Sequence, residues 1–448
     1  MHLPFRVTRD NALDLDINNL TKSGEVLVHS RDDVWRMIED IESKLQRNLS
    51  KHNRALLLNL RAIDYQTLGD PRMLETALES YAFSKTAITT FVLALAYHFH
   101  GQMEKAFDLY ERAYRLPHSF GASLEIKFGY ATKLLFTLQW NNAWAILGTF
   151  GKSITDTLRR QNNGLLPEWS PASPSKEVSI IQEGGYGDII QYSRYLPLIT
   201  AGRKVTVYMT PTYYESGFVE FFQHQGFDIE FHDAHSIPAT VPAVGFLDFN
   251  RVFLAQPSAV LQYQRPWKAN SESEQKFSYL RRLSHKRVFG LCWHAREKEN
   301  IFAAPGSYRS LTSEQAQRLI HETSDTIEWI GLQHGEVTPG IHNPETNSWH
   351  DTAGVIANCD AVVSVDTAAL HLAGAMGKPT HALLSGMLEW KFGLDGGCPW
   401  YPTLTPWRNK AFGFDNAVNG LIKAIHADSS ILPTSDSALS ADAAKRMA

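Results

Sequence analysis

Two short stretches of the sequence bring together residue types that could do chemistry. The first, QEGGYGDII, has glycines at Gly184, Gly185 and Gly187 and a carboxylate at Asp188, between a predicted strand and a predicted helix. Glycine permits positive φ and a close approach of the backbone to a ligand. A helix start offers unpaired N–H groups and the positive end of the helix dipole. Asp188 could therefore act in a cleft, or it could only cap its helix, and the residues alone leave both open.

The second stretch, SVDTAALHLAGAMGKP, ends a predicted buried strand with Asp366 and Thr367 and continues as a helix rich in alanine and glycine. Thr367 and the backbone N–H groups that follow, beginning at Ala368, predict an anion site suited to a diphosphate. His371 lies one turn further along the same helix face. The alternative is that these are packing residues only and that His371 is an ordinary surface histidine.

The elements that precede these stretches are predicted to be helices. Residues 31–150 show helical periodicity throughout, most clearly in TTFVLALAYHFHGQMEKAFDLYERAYRLPH. Small and aromatic residues recur there on either side of a predicted turn at Gly101: Ala94, Tyr97, Ala106, Tyr110 and Ala113. This pattern resembles the tetratricopeptide repeat, and it predicts about three repeats within residues 1–164. A generic helical bundle is the alternative.

The elements that must position the two stretches are predicted to be parallel strands joined by helices. Residues 165–176, LLPEWSPASPSK, hold three prolines and three serines and predict a linker. Strands are then predicted at EVSIIQE, KVTVYMT, FDIEFHD, VFGLCWH, TIEWIGLQ, DAVVSVD and THALLS, with helices between them. This alternation predicts two α/β domains, residues 177–284 and 285–427, with a cleft at the carboxyl ends of their strands. Residues 428–448 predict a disordered tail.

Composition narrows the class of protein. The chain has 448 residues and a net charge of −4, so no global basic field attracts nucleic acid. Its three cysteines, Cys292, Cys359 and Cys398, are widely spaced and argue against a disulfide framework or a zinc cluster. Cys292 and Cys359 lie in or beside apolar runs and are predicted to be buried thiols. The N-terminal residues do not resemble a signal peptide, and no apolar run is long enough to span a membrane. We therefore expect a cytoplasmic protein.

Taken together, the motifs resemble one family. EGGYGDIIQYSRYLPLI, SVDTAALHLAGAMGKP and CPWYP occur in the order and spacing of the heptosyltransferase-like glycosyltransferases, in the version fused to tetratricopeptide repeats. The resemblance covers roughly residues 177–410. It implies the GT-B fold, in which two Rossmann-like domains face each other across a cleft. It also implies an inverting, metal-independent transfer of a sugar from a nucleotide-sugar donor, with no cofactor beyond that co-substrate.

The resemblance also implies roles for single residues. The family's general base corresponds to Asp188, in the glycine-rich turn. Its donor-binding Asp-Thr pair and histidine correspond to Asp366, Thr367 and His371. Further donor contacts would come from the basic residues Arg296, Lys298 and Arg309 and from the backbone at Gln333. By analogy with other repeat arrays, the helical region would recruit a protein acceptor.

Other functions stay open on the residues alone. A nucleotide-sugar epimerase on the same fold would need further acid/base carboxylates in the cleft and no recruited acceptor. A scaffold with a degenerate nucleotide-binding module would need none of the chemistry. A dinucleotide oxidoreductase fits less well, because the glycine turn is not G-x-G-x-x-G and no acidic residue ends KVTVYMT.

Three further features carry structural expectations. Trp390 and the segment Trp400–Pro402 follow the last predicted strand, where packing is favoured over stacking on a sugar. The pair His350–Asp351 has no third partner in the sequence and is predicted to lie on the surface.

Overall fold

The computed structural model describes residues 31–118, 120–148, 167–253, 267–295, 309–386, 390–394, 398–409 and 413–427. The predicted tail, the N-terminal segment and the predicted donor contacts Arg296 and Lys298 lie outside the described residues.

The N-terminal region consists of helices that pack mainly against their neighbours in the chain. They are α1 (Arg31–Leu45), α2 (Lys51–Leu68), α3 (Met73–Phe83), α4 (Ala87–Phe99), α5 (Met103–Arg115), α6 (Phe120–Phe136) and α7 (Trp140–Gly148). Gly101 has φ 68° and lies at the predicted turn between α4 and α5. Tyr110 is fully buried and packs on Phe91 at a centroid distance of 5.9 Å. The helices are as expected, and their assignment as tetratricopeptide repeats stays a prediction.

The first α/β unit is built on a four-stranded parallel sheet with the order β3-β2-β1-β4. Its strands are β1 (Glu177–Ile181), β2 (Lys204–Met209), β3 (Glu230–Asp233) and β4 (Ala243–Gly245). Its helices are α8 (Tyr186–Tyr192), α9 (Leu196–Thr200), α10 (Pro211–Glu215), α11 (Phe218–Gln223) and α12 (Phe249–Val252). Strand β4 was not predicted from the sequence, because its three residues are too few to show a period.

Part of the predicted linker packs into this first unit. The backbone N–H of Trp169 donates to the carbonyl of Ala243 at 2.9 Å, and the Trp169 side chain is 1% exposed. Burial of this large indole stabilises the segment against the end of the sheet, which the proline and serine content did not indicate.

The second α/β unit holds a five-stranded parallel sheet with the order β6-β5-β7-β8-β9. Its strands are β5 (Arg287–Cys292), β6 (Ile327–Gly331), β7 (Ala361–Ser364), β8 (Thr380–Leu384) and β9 (Leu404–Arg408). Its helices are α13 (Ser271–Lys276), α14 (Ser313–Thr323), α15 (Trp349–Asn358), α16 (Ala368–Ala375) and α17 (Asp415–Ala427). The unpredicted β9 contains Pro406 and lies at the sheet edge, where a missing N–H donor is tolerated.

Tryptophans join the helical region to the second unit. Trp140 of α7 lies 5.4 Å from Trp390 and 5.8 Å from Trp400, measured between ring centroids. Arg194 of the first unit reaches the same place, because its Nη1 donates to the carbonyl of Trp400 at 3.0 Å. Trp390 and Trp400 are buried, which confirms the packing role expected for them.

The two α/β units meet at an aromatic cluster. Trp349, at the start of α15, lies 4.9 Å from Tyr186 and 5.0 Å from Phe218 of the first unit. The predicted surface position of His350–Asp351 was wrong: the two side chains are 9% and 7% exposed. Asp351 accepts from Lys276 at 2.8 Å, and His350 packs edge-on against Phe221. Within the described residues, no helix is long and apolar enough to cross a membrane.

Candidate active site

Both chemical stretches lie where the strand order of their sheet reverses. In the first sheet the chain leaves β1 for β2 on one side and later reaches β4 on the other, so the end of β1 is a switch point. In the second sheet β5 is flanked in the same way by β6 and β7. Loops that leave such strands in opposite directions open a crevice at the carboxyl ends, where ligands of open α/β sheets bind. Gly184–Asp188 follows β1, and Asp366–Thr367 follows β7.

The glycine-rich turn presents Asp188 from the first turn of α8. Gly184 has φ 76°, a backbone conformation that glycine adopts without strain. Gly185 is the N-cap of α8, and its N–H donates to Oδ2 of Asp188 at 2.9 Å. Asp188 is 5% exposed. The capping role considered for Asp188 is therefore present, and its role as a base stays a prediction.

A buried charge cluster surrounds Asp366. Its Oδ1 lies 3.3 Å from Nε2 of His371, and its Oδ2 lies 3.2 Å from Nζ of Lys391. Arg309 adds a second cation, with Nη2 at 3.6 Å from Oδ2, and also donates to the Asp366 carbonyl. Lys391 and Arg309 thus place two cations around the Asp366 carboxylate, beside the start of α16.

The ionisation of this cluster follows from burial and neighbouring charge. Burial alone would raise the pKa of Asp366, but Lys391, Arg309 and the hydrogen bond with His371 hold that pKa well below its usual range. Burial and then Lys391 lower the pKa of His371, against the opposing influence of Asp366. Asp366 is consequently a carboxylate near neutral pH, and His371 is a neutral imidazole whose Nδ1 lies 3.0 Å from Oη of Tyr401. The surface position considered for His371 was wrong, since it is 3% exposed.

Lys391 is the site residue that sequence reasoning missed. It is 2% exposed, and its Nζ also lies 3.4 Å from Nε2 of His371. A fully buried lysine is rare unless it is paired or has a function. The only signal in the sequence was a basic residue beside Trp390 in the crossing from β8 to β9, and no periodicity marks it.

Thr367 and Gln333 both contact Sγ of Cys292, at the end of β5. Thr367 is the N-cap residue of α16, and its Oγ1 lies 2.9 Å from Oγ of Ser364 and 3.5 Å from Sγ of Cys292. The amide of Gln333 exchanges two hydrogen bonds with the backbone of His294, at 2.8 Å and 3.1 Å. Gln333 thus ties the ends of β5 and β6 together, and a contact from its backbone to a base stays a prediction. Ala368 is half-buried, in the first turn of α16.

The two stretches touch each other across the units. Helices α8 and α16 pack together. A Cβ added at Gly187 would lie 2.6 Å from Cδ2 of His371, so the absent side chain is what lets His371 approach α8. Asp188 lies close enough to His371 to raise the pKa of that imidazole. Asp188, His371, Asp366 and Arg309 therefore gather at one place, and their roles in transfer stay predictions.

The chain is similar to known proteins in its structure and not in its sequence. No protein-family model matches the sequence, and no curated protein matches it. Among solved structures, ADP-heptose lipopolysaccharide heptosyltransferase II from E. coli is 13% identical, with a TM-score of 0.37 over 56% of this chain and 99% of that one. A family 9 glycosyl transferase from Veillonella parvula is 10% identical, with a TM-score of 0.36 over 62% of this chain and 98% of that one. The E. coli heptosyltransferase WaaC with ADP is 14% identical, with a TM-score of 0.34 over 56% and 99%. Similarity at this level assigns no function to the chain.

Proposed function

We propose that this protein is a glycosyltransferase that moves a sugar from a nucleotide-sugar donor to an acceptor hydroxyl, with inversion and without a metal at the reacting centre. The observation that carries the proposal is the meeting of two switch-point motifs. One supplies a carboxylate, Asp188, and the other supplies a positively charged helix N-terminus with Lys391 and Arg309. A transfer of this type needs a proton acceptor on one side and stabilisation of a departing diphosphate on the other.

On the donor side, the diphosphate would sit at the start of α16. The first backbone N–H groups of a helix have no partner within it and point along the positive end of its dipole. The cations Lys391 and Arg309 add to this field in a largely water-excluded place, where electrostatic interactions are stronger. Asp366 would hold Lys391 and Arg309 in position rather than contact the donor phosphates, which carry the same sign of charge.

On the acceptor side, Asp188 would take the proton of the attacking hydroxyl. Its Oδ2 accepts a hydrogen bond from the Gly185 N–H at 2.9 Å. The same bond fixes the side chain over the turn, so that capping and catalysis do not exclude each other. The neutral His371 beside it carries no charge that would compete for the carboxylate.

The helical region would present the acceptor, and a protein acceptor is the proposal that a repeat array favours. Its docking onto Trp390 and Trp400 supports a direct link to the donor site, because Lys391 follows Trp390 in the chain. Binding on the helices could thus alter the position of a donor-site cation.

Release of nucleoside diphosphate from a panel of nucleotide sugars tests the proposal. We expect the wild type to consume one class of donor, and Asp188→Asn to lose about 10²- to 10⁴-fold in rate while it binds that donor equally well. Asp351→Asn is the matched control, because Asp351 is also a buried carboxylate in the first turn of a helix.

Two results would contradict the proposal in different ways. Full activity of Asp188→Asn would remove Asp188 as the base. If no nucleotide sugar were bound or consumed, the alternative of a non-catalytic scaffold would be favoured instead.

A further inference from the structure

A second cluster of polar side chains lies across the junction of the two α/β units. In the described part of the chain, one group of three metal-ligating residues has its ligand atoms within 4.8 Å of one another: Glu220, His224 and His350. Glu220 lies on α11 and His224 follows it by one turn, so both point the same way. His350 comes from α15 of the second unit and stacks edge-on against His224 at a centroid distance of 4.7 Å.

The burial of His350 distinguishes this cluster from a chance grouping of surface side chains. The residue is 9% exposed, and within the described residues neither of its buried ring nitrogens has a hydrogen-bond partner. A buried polar atom without a partner is costly, so such an atom calls for an explanation. Phe221 packs against the ring at a centroid distance of 5.0 Å and holds it toward His224.

We propose that Glu220, His224 and His350 bind a divalent transition metal of the zinc class, with water as the fourth ligand. Two imidazoles and one carboxylate are a donor set that zinc uses. The Nδ1–H of His224 donates to the Glu220 carbonyl at 2.8 Å, which leaves Nε2 as the ligand atom. Such orientation of a ligating histidine by its second nitrogen is a regular feature of metal sites.

The geometry requires only local adjustment. Zinc bonds of about 2.0–2.1 Å in a tetrahedron place ligand atoms roughly 3.3 Å apart. The ligand atoms therefore need to approach by at most about 1.5 Å. Rotation of the exposed side chains of Glu220 and His224 can supply this while packing holds His350 in place.

A metal here would hold the two α/β units together beside the candidate active site. Its ligands come from both units, and Trp349, next to His350, contacts Tyr186 of the glycine-rich turn. The metal would bind to the folded, closed arrangement and stabilise it, since the three ligands meet only there. Its place lies outside the residues proposed for transfer, so the inference does not depend on the proposed function.

Zinc binding to the full-length protein tests the inference. After dialysis against buffered zinc, we expect one tightly bound equivalent in the wild type and a zinc-dependent rise in Tm. Glu220→Gln and His224→Ala change exposed residues, so both should fold, and each should weaken zinc binding at least about tenfold. His350→Leu should do the same, with its fold checked by circular dichroism.

The matched control is His235→Ala. His235 lies 2.6 Å from Asp233 and is 84% exposed, and it belongs to no group of three ligands in the described residues. Unchanged affinity in this variant, with loss in the other variants, supports the site. Absence of a tight equivalent in the wild type, or an unchanged equivalent in His224→Ala and Glu220→Gln, would overturn it.

Discussion

The close approach of Gly187 to His371 sets the spacing between α8 of the first unit and α16 of the second. In Gly187→Ala the new Cβ would lie 2.6 Å from Cδ2 of His371, whereas carbon atoms pack at about 3.5–4.0 Å. The two atoms must therefore separate by about 1 Å. His371 is held by Tyr401 on one side and Asp366 on the other, so the shift falls on the spacing of α8 and α16.

Two opposing effects determine how Gly187→Ala changes the free energy of unfolding. Overpacking of this size costs about 1–3 kcal/mol. Replacing glycine by alanine in a helix returns up to about 1 kcal/mol. We expect a net loss of up to about 3 kcal/mol in the free energy of unfolding. The effect on transfer should be larger, at least about tenfold, because a misplacement of about 1 Å between reacting groups can cost about 100-fold.

Gly185→Ala is the matched control in the same turn. Gly185 has φ −96°, which any residue adopts, and its added Cβ would be 3.9 Å from the nearest atom, Oδ2 of Asp188. The free energy of unfolding, measured with denaturant, and the rate of donor turnover should both be close to wild type in Gly185→Ala. Both should be lower in Gly187→Ala. Equal stability and turnover in the two variants would refute the contact and the placement of the helices that depends on it.

The remaining predictions concern charge and burial. Lys391→Met should raise the pKa of His371, measured by NMR titration. It should also weaken nucleoside diphosphate binding about tenfold or more, since a hydrogen bond to a charged group contributes about 1.5–3 kcal/mol. Unchanged affinity would remove Lys391 from the donor site. Burial lowers the pKa of His381 to about 4, so the unfolded chain binds more protons below the ordinary value of 6.5, and stability is lost as pH falls. Between pH 7 and pH 5 this residue should remove about 2 kcal/mol of unfolding free energy, and His381→Asn should show that much less pH dependence, whereas an equal dependence would contradict the burial argument. The three buried thiols should not react with a thiol reagent in the native protein and should all react in urea. Burial raises the pKa of Cys359 to about 12, so its thiol is protonated and unreactive. Rapid labelling of the native protein would contradict the burial of these thiols.

Strand periodicity and turn residues predicted most of the α/β architecture. The predicted segments from EVSIIQE to THALLS all became strands. Most are buried parallel strands, which produce continuous apolar segments that a sequence displays directly, whereas β3 has no fully buried residue. Three-residue β4 and proline-containing β9 carry no such segment, and their pairing is set by the neighbouring strand. The placement of Trp169 in the first unit has the same origin, since tertiary contacts and not local preference hold it.

The candidate site was predictable in part for a related reason. Asp188, Asp366, Thr367 and His371 follow strands or open helices, so local pattern placed them at the carboxyl edges of the sheets. Lys391 enters from a crossing segment that packs on the tryptophans of α7 and is hydrogen-bonded by Arg408, and the burial of His350 depends on contact with the other unit. Long-range packing of this kind leaves no spacing in the sequence.

The proposed transfer requires that a nucleoside diphosphate binds at the start of α16. The most direct test is a thermal-shift titration of the wild type and Thr367→Ala with UDP, GDP, ADP, CMP and NAD, with Thr352→Ala as a control on another helix. A ligand at 100 times its Kd stabilises the folded state by about 2.7 kcal/mol. We predict a shift with one nucleoside diphosphate that Thr367→Ala loses and Thr352→Ala keeps; no shift with any nucleotide, or a shift with NAD alone, would contradict the account.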